Sequence, residues 1–284
     1  MSKYKESIMK TIFFVAASTS ILAVALICLF LFINGIPAMT KIGIFDFLMG
    51  TTWKPNNTPP SFGILPMILG SIYVTAGAAV IGVPIGILTA VFMAHYCPSK
   101  LYRILKPAIN LLAGIPSIVY GFFGLVVIVP FIRDTFGGAG SSMLAASILL
   151  GIMILPTIVG ISESAIRAIP QSYYEGALAL GASHERSIFF VILPAAKSGI
   201  MAAIVLGIGR AIGETMAVIM VAGNQARMPA GLLKGVRTLT ANIIIEMGYA
   251  AELHREALIA TSVVLFVFIL IINLLLSLLK RRTG

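Results

Sequence analysis

Charge is scarce in this 284-residue sequence: Asp, Glu, Lys and Arg together make up 11% of it. A water-soluble domain carries about a quarter charged residues, and the 59% hydrophobic content is more than a core of this size can bury. A soluble globular protein is thereby excluded, and the surplus apolar surface must face lipid. Cysteine is nearly absent: Cys28 and Cys97 fall in or beside different apolar segments, so no disulfide framework is expected. The three histidines, His95, His184 and His254, lack metal-ligand spacing and lie in or near loops, so neither a metal site nor a Ser/His/Asp set is expected. Also missing is a Gly-x-x-x-x-Gly-Lys-Ser/Thr run, the loop that cradles nucleotide phosphates, so this chain is not expected to bind or hydrolyse ATP or any other cofactor itself. Acidic residues are few, 10 against 20 basic ones, which leaves a formal net charge of +10. No basic face interleaved with exposed aromatics accompanies that charge, which argues against a nucleic-acid partner.

What is present is long apolar runs. Crossing the hydrocarbon takes about 20 apolar residues as a helix, and six stretches qualify: about Thr11–Asn34, Leu65–Ala94, Pro107–Pro130, Met143–Ile161, Ser198–Ala222 and Ala257–Leu279. The first is too long for a signal-peptide core and lacks a small-x-small cleavage site, so it reads as a retained helix. An all-α polytopic membrane protein with about six spans follows, one transmembrane domain over residues 1–284. Its core runs from about 65 to 280, with an N-terminal helix at 11–34 and a long loop at 168–197. With the N-terminus inside, Lys3, Lys5, Lys10, Lys100, Arg103, Lys106, Arg167, Arg186, Lys197 and Lys280–Arg282 face the cytoplasm. Lys41, Lys54, Arg133, Arg227, Lys234, Arg237 and Arg255 face outward, and the asymmetry predicts that both termini are cytoplasmic. Trp53, in the outer Gly35–Gly63 segment, reads as an interfacial anchor or a ligand contact. The segment Val236–Met247 is too short to span and reads as an outer surface helix, or one lying over the mouth of a pathway.

Three clusters stand out within this frame. Gly82 and Gly86, at i and i+4, let helix backbones approach closely. Gly114, Pro116 and Ser117 fall inside the third expected helix, where Pro116 removes a backbone donor. The freed carbonyl must be satisfied by protein or by a water-lined cavity, so the kink serves packing or lines a pathway. In the fifth helix, Gly199, Ala203, Gly207, Arg210, Glu214 and Ala217 share one narrow stripe at 100° per residue. An arginine near mid-membrane is penalised by at least ~2.5 kcal/mol. Arg210 and Glu214, at i and i+4, are expected to pair, either as a structural ion pair or as a pathway site. There Arg210 would meet an oxyanion through two parallel hydrogen bonds, and Glu214 would orient it.

The 168–197 loop carries Tyr174-Glu175-Gly176-Ala177-Leu178-Ala179-Leu180-Gly181 and, after a second short helix, Val191-Ile192-Leu193-Pro194. Gly181 is expected to end the first helix in a left-handed conformation. Glu175, Ala177, Gly181, Leu193 and Pro194 resemble the loop of ABC-importer permeases, Glu-Ala-Ala, three residues, Gly, nine residues, Ile-x-Leu-Pro. Gly176 replaces the middle Ala, at about 1 kcal/mol of helix propensity, and Val191 replaces Ile. Further segments resemble the permeases of phosphate-type ABC importers: Gly50–Pro55, Leu112–Gly121, Ile154–Ile158, Gly209–Val218 and Val221–Asn224. The resemblance covers about residues 35 to 280. It implies a permease subunit that moves inorganic phosphate into the cell across the bacterial plasma membrane. It also implies a second permease subunit of the sister type, a dimeric cytoplasmic ATPase that uses the ATP, and an external phosphate-binding protein. A permease for sulfate or molybdate is the nearest alternative, and an ion-coupled secondary transporter a more distant one.

Overall fold

Among the described residues, hydropathy and length make six helical stretches able to cross a bilayer: Tyr4–Ile42, Leu65–Tyr96, Ser117–Phe136, Met143–Arg167, His184–Gly213 and Glu252–Leu275. The computed structural model describes residues 2–283. Four basic residues of the charge pattern, Lys3, Lys280, Arg281 and Arg282, have side chains outside the described ones. Among the described residues the only strands are a two-stranded antiparallel ribbon, β1 (Trp53–Lys54) with β2 (Ser61–Phe62). That fits a chain whose backbone must satisfy its own hydrogen bonds in lipid.

Helix α1 (Ser2–Ile42) extends beyond the expected Thr11–Asn34 at both ends. The short α2 (Ile44–Met49) and the ribbon follow, then α3 (Leu65–Val91), prolonged by one π-helical turn at Phe92–Tyr96. Helix α7 (Met143–Arg167) is the most deeply buried of the six spans. Ser142 caps it, its Oγ accepting the Ala145 N–H at 3.2 Å. The paired glycines act as the spacing predicts. A Cβ at Gly82 would lie 2.8 Å from the Gly151 carbonyl, and one at Gly86 would lie 2.7 Å from Ile158. Only glycine permits α3 to sit so close to α7.

Two expected helices are broken. The third consists of α4 (Ser99–Gly114), with no buried residue, and α5 (Ser117–Phe123), which continues through a π turn at Gly124–Ile128 into α6 (Val129–Phe136). The span therefore begins at Ser117 rather than Pro107, and Gly114, Pro116 and Ser117 form a corner between helices instead of a kink within one. The residue before a proline avoids the helical region, and Ile115 is extended at ψ 128°. Pro116 then serves as the N-cap of α5, where its missing N–H leaves nothing unpaired. The fifth helix likewise divides into α10 (Leu193–Gly213) and α11 (Met216–Val221), separated by an extended Glu214.

The connecting segments gather at opposite ends of the helices. At one end, α2, the ribbon, α12 (Leu239–Met247) and the start of α13 (Glu252–Thr283) enclose a core of Phe47, Trp53, Phe62, Ile64, Leu239 and Leu258. Trp53 is 5% exposed, and its indole N–H donates to Glu246 at 2.8 Å. It is a core residue of this cap, not an interfacial anchor. At the other end, α4 and the 168–192 segment pack around Met93, Ile166, Ile188 and Ile192.

Candidate functional site: a broken helix joined to a helical loop

The loop at residues 168–197 holds α8 (Gln171–Ala179) and α9 (His184–Ser187). Gly181 ends α8 with φ +84°. The Gly181 N–H donates to Leu178 at 2.9 Å and the Ala182 N–H to Ala177 at 3.1 Å, the double closure of a Schellman motif. Ser183 then caps α9, accepting the Arg186 N–H at 3.3 Å. The Tyr174 hydroxyl lies 2.7 Å from His184 Nδ1 and ties the two helices together. Glu175 and Gly176 are exposed on α8, Ala177 is buried, Leu193 is half-buried and Pro194 is exposed in the first turn of α10. The second short helix does not stop at Pro194. A π turn at Ile188–Ile192 carries it directly into α10, so His184 to Gly213 is one helical stretch. At 1.5 Å per residue, the 21 residues of α10 form a rod about 30 Å long.

The far end is the break. Small residues bring α10 onto α7: Ala203 is fully buried, and a Cβ at Gly207 would lie 2.9 Å from Ile158. Arg210, one turn before the break, reaches α7 with Nη1 3.5 Å from Thr157 Oγ1. The expected Arg210–Glu214 pair is not formed. Glu214 leaves the helix at ψ 130°, so the i, i+4 geometry does not exist. Its Oε1 instead accepts the N–H groups of Thr215 at 3.1 Å and Ala217 at 3.2 Å, capping α11. The Glu214 carbonyl, orphaned at the end of α10, accepts from Thr240 Oγ1 of α12 at 3.1 Å. Among the described residues, no carboxylate lies within 4.0 Å of the Arg210 guanidinium. Among the described residues this partly buried cation, beside a break in a membrane helix, has no carboxylate counter-ion.

Segments far apart in the chain converge here. A Cβ at Gly121 of α5 would lie 3.0 Å from Ala217 Cα, so α5 crosses α11 directly. Tyr120, Ile154, Ile158, Ala211, Ala217 and Val221 share one core. The Pro116 corner, the Thr157 turn and the break are therefore neighbours in a single packing unit.

Two charge clusters escaped the sequence reading. Glu246 of α12 is buried, with Oε2 2.8 Å from both Trp53 Nε1 and His254 Nε2, and with Arg237 Nη1 2.5 Å from Oε1. Arg237 also donates to the Asn224 carbonyl at 3.0 Å. Glu163 of α7 is 1% exposed and meets Lys106, Tyr102 and Arg167. Glu163 lies just past the expected end of the span at Ile161, and Arg167 at i+4 was the available signal. Arg237 and His254 are nine and eight residues from Glu246 and were a local signal, whereas Trp53 comes from 193 residues away.

A helical loop continuous with a broken membrane helix defines the architecture of this chain, and comparison with known proteins assigns it to a family. The family model for "Binding-protein-dependent transport system inner membrane component" matches residues 82–284. The chain belongs to that family of ABC permeases. It is 42% identical over 260 residues to the "Probable ABC transporter permease protein YqgH" of Bacillus subtilis, covering 88% of this chain and 84% of that one. It is 34% identical over 279 residues to the "Phosphate transport system permease protein PstC" of Mesorhizobium japonicum, covering 89% and 84% respectively. A "Probable phosphate transport system permease protein PstC" of Methanocaldococcus jannaschii is 32% identical, with 87% and 84% covered. Among solved structures, the fold matches the inward-facing MetNI methionine ABC transporter with a TM-score of 0.63 at 22% identity, over 78% of this chain and 96% of that one. It matches a bacterial alginate ABC transporter with a TM-score of 0.66 at 15% identity, over 99% and 98%.

Proposed function

We propose that this chain is a permease subunit of an ATP-driven importer that moves inorganic phosphate into the cell. The reading is carried by one observation: the unpaired Arg210 guanidinium sits at a helix break in a chain similar, over most of its length, to permeases named for phosphate transport. A guanidinium matches an oxyanion with two parallel hydrogen bonds, which a lysine cannot reproduce. Arg210 contacts the passing anion. Glu214 maintains the break that places Arg210, rather than orienting it by a direct ion pair. The Gly114–Pro116–Ser117 corner lines the same path.

The whole chain works as one transmembrane domain with both termini cytoplasmic, and binds no cofactor. ATP is used by a dimeric cytoplasmic ATPase, which receives α8 and the Glu175–Gly181 turn. Exposed Leu178, Leu180, Phe189 and Phe190 supply apolar contact surface at that end. A second permease subunit of the PstA type completes the pathway, and an external phosphate-binding protein docks on the opposite cap. Closure of the ATPase moves the loop, the α10 rod tilts, and the path alternates between the two sides.

The test is ATP-dependent uptake in proteoliposomes holding the assembled complex. Arg210→Gln is expected to nearly abolish phosphate uptake at matched protein levels, and Arg210→Lys to retain part of it. Wild-type uptake in Arg210→Gln would return Arg210 to a packing role. Competition by sulfate or molybdate equal to that by phosphate would reassign the substrate within the oxyanions.

A further inference from the structure

Glu163 lies on the last full turn of α7, where neither lipid contact nor the Arg210 break accounts for it. Its carboxylate is 1% exposed. Burying a carboxylate is unfavourable by several kcal/mol unless partners restore the lost hydration, and here three groups do. Tyr102 Oη and Arg167 Nε each donate to Oε1 at 2.7 Å, and Lys106 Nζ donates to Oε2. Arg167 extends the network, donating through Nη2 to the Met93 carbonyl at 2.7 Å, in the π turn that ends the α3 span. Its guanidinium also covers the Tyr102 ring at 4.6 Å.

The partners of this carboxylate lie on elements with different mechanical positions. Arg167 is the last residue of α7, and Gln171, where the loop helix α8 begins, follows shortly after it. Tyr102 and Lys106 are on α4, which has no buried residue and leans on the bundle through partly buried Tyr102, Leu105 and Ile109. Through Tyr102 and Lys106 its polar attachment to α7 is Glu163. At its other end α4 enters the Pro116 corner and then α5, which crosses α11 at Gly121 and Ala217. A chain of contacts thus links the loop root, through Glu163 and α4, to the corner. Lys106 and Arg167 are 31% and 46% exposed, so both cations sit at the rim around an enclosed carboxylate.

We propose that Glu163 is a positioning residue that passes displacement of the 168–197 loop to α4 and the Pro116 corner, keeping ATP hydrolysis in step with transport. This rests on the proposed reading of that loop as the ATPase-docking element. The readout is the number of ATP molecules hydrolysed per phosphate taken up, measured on the complete complex in proteoliposomes with its external binding protein. The double variant Tyr102→Phe/Lys106→Gln detaches α4 and leaves the Glu163–Arg167 pair intact. It is expected to raise the ratio by at least about fivefold, the factor equivalent to losing a single ~1 kcal/mol hydrogen bond of the two removed, while ATPase activity stays within about twofold of wild type. Glu163→Gln is expected to do the same, and Glu163→Asp to recover part of the coupling. Should Glu163→Gln fail to assemble, the double variant decides. An unchanged ratio overturns the proposal, whether both rates stay normal or both fall together as a purely structural role requires. Gly181→Val, measured in parallel, separates the two readings. If it leaves ATPase and uptake normal, the docking role of the loop fails. If it disturbs them while the α4 variants do not, only the role of Glu163 fails.

Discussion

The Tyr120 hydroxyl donates to the Leu112 carbonyl across 2.8 Å, bridging the corner at which α4 ends and α5 begins. The carbonyls of the last turn of α4 have no intrahelical partner, and the Ile115 N–H reaches Leu112 only at 3.4 Å. Tyr120 supplies the stronger bond and fixes the angle between the two helices.

Tyr120→Phe keeps the ring and removes that bond. A net loss of about 0.5–1.5 kcal/mol follows, localised where α5 meets α11. The expected outcome is a small drop in the thermal unfolding temperature of the detergent-purified complex, with phosphate uptake reduced several-fold. Wild-type values of both would show that Pro116 alone sets the corner.

The cap at the other end depends on Glu246, which joins Trp53, Arg237 and His254 in a site where its own side chain is 6% exposed. Glu246→Gln keeps the shape and leaves Arg237 without its counter-ion, a loss of about 3–5 kcal/mol for a broken buried pair. Trp53 is the only tryptophan, so intrinsic fluorescence of the purified chain reads this site directly. A shift of its emission to longer wavelength and earlier thermal unfolding are expected. An unchanged spectrum would mean that apolar packing against Phe62 and Leu239 holds the cap.

At Gly181 the two possible objections to a side chain separate cleanly. A Cβ there meets nothing within 4 Å, so crowding is not the constraint. The φ of +84° is, because it is a conformation β-branched residues rarely adopt. Gly181→Val is therefore expected to unwind the end of α8 by about 1–2 kcal/mol. ATPase stimulation and uptake should fall while membrane assembly is retained. Gly181→Asn, which tolerates left-handed backbone, is expected to keep most of the activity.

Orientation is tested at the two exposed tips. Asn57 and Ser183 lie at opposite ends of the helices and both are exposed. In a variant lacking Cys28 and Cys97, a single cysteine at Asn57 is expected to react with an impermeant reagent from outside. One at Ser183 should react only after lysis. Labelling of both from the same side is incompatible with six spans and cytoplasmic termini.

The sequence by itself determined the number and approximate extent of the spans, because lipid leaves an apolar backbone little alternative to helix and hydropathy is additive along a chain. It also determined that Gly82 and Gly86 admit a close helix neighbour and that the chain turns at Gly181, both consequences of what glycine alone permits, while the structure identified that neighbour as α7. Only the tertiary structure decided where helices break and what the buried carboxylates bind. An apolar run has the same hydropathy whether it is continuous or turns a corner, so Pro116 signalled a kink without showing a division, and the break at Glu214 was not signalled at all. The stripe of Arg210 and Glu214 presupposed an unbroken helix, and the break gave the carboxylate to the amides of α11 instead. Glu163 finds Tyr102 61 residues away, and Glu246 finds Trp53 193 residues away. Such pairings depend on how the helices pack, and packing depends on surfaces that no local window of sequence contains.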